Sequence, residues 1–271
     1  MIPDRFEYEV AESVEQAVEL LASDGAKLLA GGHSLLPLMR LRISRPSLLV
    51  DVGRLAELSY VREEGGGLAI GPLTRHHDLA GNALLRDRCG IVAHTASLIG
   101  DPQVRHRGTI GGSVAHGDPA ADMPAVLLAL EAELVVRGPG GERTVPAAEF
   151  FTGVFETALG PRDVLCEIRV PALTGGWSYV KFRRRSQDWA TVGVAAVQAN
   201  GGARVALTNM GPTPVRAVAV EQALAGGADT ATAAEQAGEG TSPPSDTQGS
   251  ADFRRHLAGV LVRRALAEAL S

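Results

Sequence analysis

Two glycine pairs, each set close behind apolar residues, constrain this chain more than any other feature. The first lies in Leu28-Leu29-Ala30-Gly31-Gly32-His33-Ser34 and the second in Thr109-Ile110-Gly111-Gly112-Ser113. Glycine lets the backbone approach another group closely, and successive N–H groups then converge into an anion-binding nest. The hydroxyls of Ser34, Thr109 and Ser113 add further donors. Two such segments suit the two sides of a pyrophosphate. They equally suit plain tight turns in a chain with 32 glycines among 271 residues.

Composition narrows the class. Hydrophobic residues make up 45% and charged residues 21%, the balance of a globular protein rather than a disordered chain or a coiled-coil rod. The length suits one or two domains of ~100–200 residues each. A net charge of −5 argues against a nucleic-acid binder, which normally carries a basic face. No stretch of ~18 apolar residues exists to span a bilayer, and the first ten residues lack the pattern of a signal peptide. The two cysteines, Cys89 and Cys166, form no C-x-x-C pair, so neither zinc nor an iron–sulfur cluster is held by cysteines of this chain. A reduced, cytoplasmic protein is the expectation.

Patterning along the chain predicts an α+β protein. Ser13 and Gln16 fit a capping box at the start of a helix carrying Val14, Ala17, Val18 and Leu21, which Gly25 would end. Short apolar runs at 27–30 and 48–52 read as strands. Helix, strand, crossover and strand suggest a small parallel α/β lobe over 1–55. A second lobe over 56–172 is expected to carry an antiparallel sheet with strands near 68–71, 134–136 and 164–170, and helices over 78–85, 90–98 and 125–130. Asp122 is placed to cap the last of these, with Pro124 in its first turn. Residues 173–271 read as a C-terminal α+β domain with an antiparallel sheet. Its strands fall at 178–184, 191–198 and 203–207, and its helices at 218–224 and 253–270. Between those helices, 226–250 reads as a helix fragment and a long loop.

Several chemistries lack their signatures. There is no G-x-G-x-x-G opening a helix and no G-x-x-x-x-G-K-[ST], so a Rossmann or P-loop enzyme is not indicated. No G-x-S-x-G elbow supports a hydrolase. The histidines form no H-E-x-x-H. His116, Asp118 and Asp122 lie close in sequence, but caps and turns explain the aspartates as well as a metal does. On the strand Ser178–Arg184, Val180 and Phe182 fall on one face and Tyr179, Lys181 and Arg183 on the other. Lys181 is therefore either a cation pointing into a cleft or one more residue of a surface strand.

Taken together, Ala30-Gly-Gly-His-Ser-Leu-Leu-Pro37, Leu41-Arg42, Asp51-Val52, Thr109-Ile-Gly-Gly-Ser113 and His116-Gly-Asp-Pro-Ala-Ala-Asp122 resemble the FAD-binding medium subunit of the molybdenum hydroxylases, above all of carbon monoxide dehydrogenase; xanthine dehydrogenase has a related domain. Lys181-x-x-Arg184, Asp188-Trp-Ala190 and the tail Phe253–Leu257 with Arg263–Leu266 extend the likeness from end to end.

The resemblance implies FAD in the cleft between the two lobes. Lys27, Leu28, Leu29, Ala30, Gly31, Gly32, His33, Ser34 and Leu35 would line its pyrophosphate and adenosine side. Ile99, Gly100, Thr109, Gly111, Gly112, Ser113 and Ala115 would form a second clamp, and Asp122, Leu165 and Lys181 would complete the pocket at the flavin end. Ser113 departs from the Asn or Asp that relatives often carry. No residue of this chain is expected to act as a nucleophile, acid–base catalyst or metal ligand. The implied partners are a small subunit with 2Fe-2S clusters and a large subunit with the molybdenum cofactor, in a dimer of heterotrimers. The implied role is electron transfer from those clusters through FAD to an external acceptor. A stand-alone FAD-dependent oxidase of the related two-lobe fold is the alternative.

Overall fold

A three-stranded parallel sheet opens the chain, with Leu48–Asp51 in the middle, Glu7–Val10 on one side and Ala26–Leu29 on the other. The computed structural model describes residues 2–199 and 202–271. Parallel strands need crossovers, and the helices Val14–Leu20 and Leu35–Arg40 supply them. Ser13 caps the first helix through Oγ, which accepts from the Gln16 N–H at 3.1 Å. The return bond lands one residue earlier than a capping box requires: the N–H of Glu12, not of Ser13, donates to Gln16 Oε1 at 2.6 Å. The helix ends at Leu20, where Ala22 and Ser23 already bond back to Glu19 and Leu20. Gly25 is therefore not its cap but a turn residue in front of Ala26–Leu29.

The second sheet is antiparallel and runs Val61–Glu64, Gly67–Ile70, Val164–Pro171, Glu133–Gly138, Gly141–Pro146. Leu68, Ile70, Leu134, Val136 and Ile168 are buried with Leu79, Leu85, Ile91, Ile110, Met123 and Leu127 from the helices that cover one face. Each such side chain contributes ~1.5–3 kcal/mol by leaving water. The helix expected over 78–85 is two helices, His76–Gly81 and Ala83–Arg88. Asn82 parts them, because its side chain takes the Leu85 N–H at 3.0 Å and starts a new helix instead of continuing the old one.

The third sheet, Trp177–Phe182, Val192–Ala199, Gly202–Thr208, Val215–Arg216, is also antiparallel. Its two faces belong to two cores. Tyr179, Ala195, Val197 and Ala206 join the core of the second sheet, whereas Val194, Ala196, Val205 and Leu207 pack with the long helix Ala251–Ala269. Burial on both faces is why Val192–Val197 reads as a continuous apolar run rather than an alternation.

The long loop before the last helix is tied down. Asp246 accepts from the fully buried Arg254 at 2.6 Å, Arg254 also donates to the Thr191 carbonyl, and Arg184 donates to the Thr247 carbonyl. Among the described residues no helix is long and apolar enough to cross a membrane.

Candidate functional site

The two glycine segments meet. Strand Ala26–Leu29 ends at Ala30, and the chain turns through Gly31-Gly32 into helix Leu35–Arg40. Gly31 lies against the backbone just ahead of the second segment: a Cβ there would stand 2.2 Å from the Arg107 carbonyl oxygen. Gly32 has φ +76°, a region that side-chain-bearing residues rarely adopt. His33 Nε2 lies 3.2 Å from the Gln103 carbonyl oxygen and ties the first turn to helix Pro102–Arg107. Among the described residues, the backbone N–H groups of Gly31, Gly32, His33, Ser34 and Leu35 make no hydrogen bond to another protein group. Five consecutive unengaged donors form the start of an anion cradle.

The second segment is built differently from the expected nest. Thr109 is the N-cap of helix Ile110–His116, so Gly111 and Gly112 are helical. The first amides of that helix are already engaged. Ile110 donates to the Thr74 carbonyl at 3.1 Å, Gly111 to Pro72 at 2.8 Å, and Gly112 to Thr109 Oγ1 at 3.1 Å. A Cβ at Gly111 would meet Pro72 at 2.3 Å, whereas one at Gly112 would meet only Thr109 Oγ1. The second motif therefore offers a flat, side-chain-free floor and the Ser113 hydroxyl rather than a row of free amides.

At the far end lies a buried ion pair. Asp122 was expected to cap its helix, but the N-cap is Ala121, with no side-chain cap bond, and Asp122 is the first helical residue. Its carboxylate instead accepts from Tyr179 Oη at 2.6 Å and from Lys181 Nζ at 2.8 Å. The side chains of Asp122 and Lys181 are 6% and 3% exposed. A desolvated carboxylate needs such partners more than a helix end needs a cap. Burial pushes the Asp122 carboxyl up from its ordinary range, against the pull of Lys181, and pushes the Tyr179 phenol well up. The alternation read along this strand holds: Tyr179 and Lys181 reach Asp122, while Val180 and Phe182 pack toward the last helix.

The two glycine pairs, Asp122 and Lys181 line one cleft of about 1020 Å³, with Tyr179 behind the ion pair rather than on the cleft wall. Every residue expected from the sequence lies along it: Lys27 through Leu35, Ile99, Gly100, Thr109, Gly111, Gly112, Ser113, Ala115, Asp122, Leu165 and Lys181. Leu165 enters at a register shift of its strand. The cleft also takes in His76, Phe155 and Trp189, which the sequence reading had not placed at the site. Phe155 and Trp189 are 55% and 66% exposed, the one visible signal being large aromatics held in solvent in a chain that is only 4% aromatic. His76 is buried, its imidazole pushed down to about 4 by desolvation, with Nδ1 unpartnered. His116 stacks obliquely on Phe155 at 4.9 Å and Asp118 takes the Ala120 N–H, so these two do not converge with Asp122. Among the described residues no group of acids, histidines and cysteines is arranged to hold a metal ion.

A family model described as the FAD binding domain in molybdopterin dehydrogenase matches residues 4–173, and one described as the CO dehydrogenase flavoprotein C-terminal domain matches 177–269. The chain is 46% identical to the carbon monoxide dehydrogenase medium chain of Hydrogenophaga pseudoflava, over 98% of this chain and 97% of that one. It is 39% identical to the 6-hydroxypseudooxynicotine dehydrogenase complex subunit alpha of Paenarthrobacter nicotinovorans, over 100% and 96% respectively. Its fold superposes on a chain of the Hydrogenophaga pseudoflava carbon monoxide dehydrogenase structure that lacks the Mo-pyranopterin moiety, with a TM-score of 0.96 at 47% identity, covering 100% of this chain and 99% of that one.

Proposed function

The chain belongs to the family of FAD-binding medium subunits of the molybdenum hydroxylases, and from that premise we propose that it is the electron-transfer subunit of such an enzyme, taking electrons from iron–sulfur clusters of a partner chain and passing them to an external acceptor. FAD is its cofactor, and the residues present fit it. The cleft lies at the upper end of the ~300–1,000 Å³ usual for ligand sites, and the unengaged N–H groups from Gly31 to Leu35 suit a diphosphate. That row of donors, held against Arg107-Gly108, is the observation that carries the reading.

Bound FAD supplies two-electron redox chemistry; the protein supplies binding, orientation and electrostatics. The first turn would grip the diphosphate, with the floor at Gly112, Ser113 and Ala115 opposite. Lys181, partly neutralised by Asp122, would present its remaining N–H groups at the flavin end, and the exposed faces of Phe155 and Trp189 would exclude water there. We assign residues 1–55 and 56–172 as the two FAD-binding lobes and 173–271 as the C-terminal domain. The partners would be a small iron–sulfur subunit and a large molybdenum subunit, paired as a dimer of heterotrimers. The substrate would be set by that large subunit, since relatives include chains named for carbon monoxide and for 6-hydroxypseudooxynicotine.

Titration of the purified chain with FAD, followed by flavin fluorescence, tests the reading. One equivalent bound per chain is expected. A folded chain that takes up no flavin overturns it.

A further inference from the structure

We propose that Tyr179 is a positioning residue of the flavin site: its hydroxyl holds the Asp122 carboxylate so that the Lys181 ammonium is aimed into the cleft. The proposal rests on the FAD reading above. Lys181 has a long stem with four rotatable bonds and no fixed direction of its own. Here it is buried and anchored at a single point, Asp122 Oδ2. The anchor is only as fixed as the carboxylate, and a carboxylate bonded through one oxygen can swing. Tyr179 occupies the other oxygen at 2.6 Å, so the two donors hold the group from both sides. One of the three ammonium N–H groups faces Asp122, and the rest remain for a ligand, because Lys181 and Asp122 both line the cleft.

The neighbouring strand accommodates that hydroxyl. Gly193 stands opposite Lys181 in the ladder, and a Cβ there would lie 2.6 Å from Tyr179 Oη. Glycine inside a buried strand weakens it and commonly marks a close approach by another group. Thr208, on the next strand, sets its buried hydroxyl oxygen 3.2 Å from the position that Cβ would take, so the seat around Oη is polar. Tyr179 faces Ala195 across the ladder and belongs to the buried apolar core of the second sheet, which a phenylalanine would satisfy equally. Only the hydroxyl distinguishes the two, and its bond goes to Asp122. The tyrosine strand itself is pinned, since His94 Nε2 lies 3.2 Å from the Tyr179 carbonyl oxygen.

The test is a double-mutant cycle on the full chain, read as the dissociation constant for FAD with the flavin midpoint potential as a second readout. Tyr179→Phe is expected to weaken FAD binding by about tenfold, the scale of one hydrogen bond to a charged group, and to move the midpoint potential. Lys181→Met is expected to weaken it further, and the double variant to bind no worse than Lys181→Met alone. Gly193→Ala keeps the hydroxyl but drives it from its seat, and is expected to behave as Tyr179→Phe. Additive losses overturn the proposal, as does a Tyr179→Phe chain with unchanged affinity and potential, or a loss of affinity that tracks loss of near-UV circular dichroism. Failure of the unsubstituted chain to bind FAD is a separate result, and it fells the FAD reading itself.

Discussion

Gly31 and Gly32 are adjacent but act by different physics. Gly31 is small so that another strand of backbone can touch it; Gly32 is glycine because its φ is +76°. A Gly32→Val variant is expected to lose ~1–2 kcal/mol of stability from the left-handed backbone alone, and to weaken FAD binding at least tenfold as the turn opens, read by flavin titration beside a urea melt. Both glycines were legible as special in the sequence, but the reason for each was not, because Arg107 is distant along the chain. Lys181 shows the same limit. Its face of the strand followed from alternation, while its partner did not. Removing it by Lys181→Met leaves Asp122 buried with Tyr179 as its hydrogen-bond donor and the charge of Arg183 nearby, and burial, no longer opposed by Lys181, then raises its proton affinity further above the ordinary ~3.9. The folded variant would hold a proton that the unfolded chain has released, so its stability falls as pH rises through the raised value. The expected deficit, ~3–5 kcal/mol near neutrality, shrinks toward acid. Melts at a series of pH values check it, and Asp122→Asn combined with Lys181→Met should recover most of the loss.

At the scale of elements, the second glycine motif taught more than the first. Its sequence suggests a turn, yet it folds as the start of helix Ile110–His116 because Thr109 accepts the Gly112 N–H and Pro72 and Thr74 take the two amides before it. Thr109→Ala is expected to cost about 1 kcal/mol as a lost cap. It should also free the Gly112 amide toward the cleft, so FAD affinity would fall less than stability does. Parallel melts and titrations decide this: an affinity loss exceeding the stability loss would make the Thr109 hydroxyl itself a ligand. Helix existence follows from the apolar pattern more closely than helix boundaries do. Asn82 cut one expected helix into two, and Leu20 ended another before Gly25, in both places because a local hydrogen bond competed with continuation of the helix. The loop before the last helix carried no readable motif. Its anchor, Arg254, looks in the sequence like any surface arginine of a helix, and only packing buries it against Asp246.

At the scale of the molecule, the chain's cofactor is FAD, and its two cysteines are too few to make a four-cysteine cluster site. Cys89 and Cys166 are single, and burial pushes their thiols up to about 12 and about 11, far from the thiolate state that metal ligation requires. The isolated chain is therefore expected to carry flavin without iron or molybdenum, and those elements to appear only with co-purifying chains; iron bound stoichiometrically to the chain alone would refute this. The sequence by itself determined most of the longer helices and strands, the near-apolar strands, the two glycine motifs and the count of two cysteines, since each is a matter of local spacing or of residue count. Tertiary structure alone decided that Gly31 abuts Arg107, that the second motif's amides are engaged, and that Asp122, Tyr179 and Lys181 share one buried site. Most of those contacts join residues far apart in the chain, and the cost of desolvating their polar groups is offset only when the partners arrive as the sheets come together.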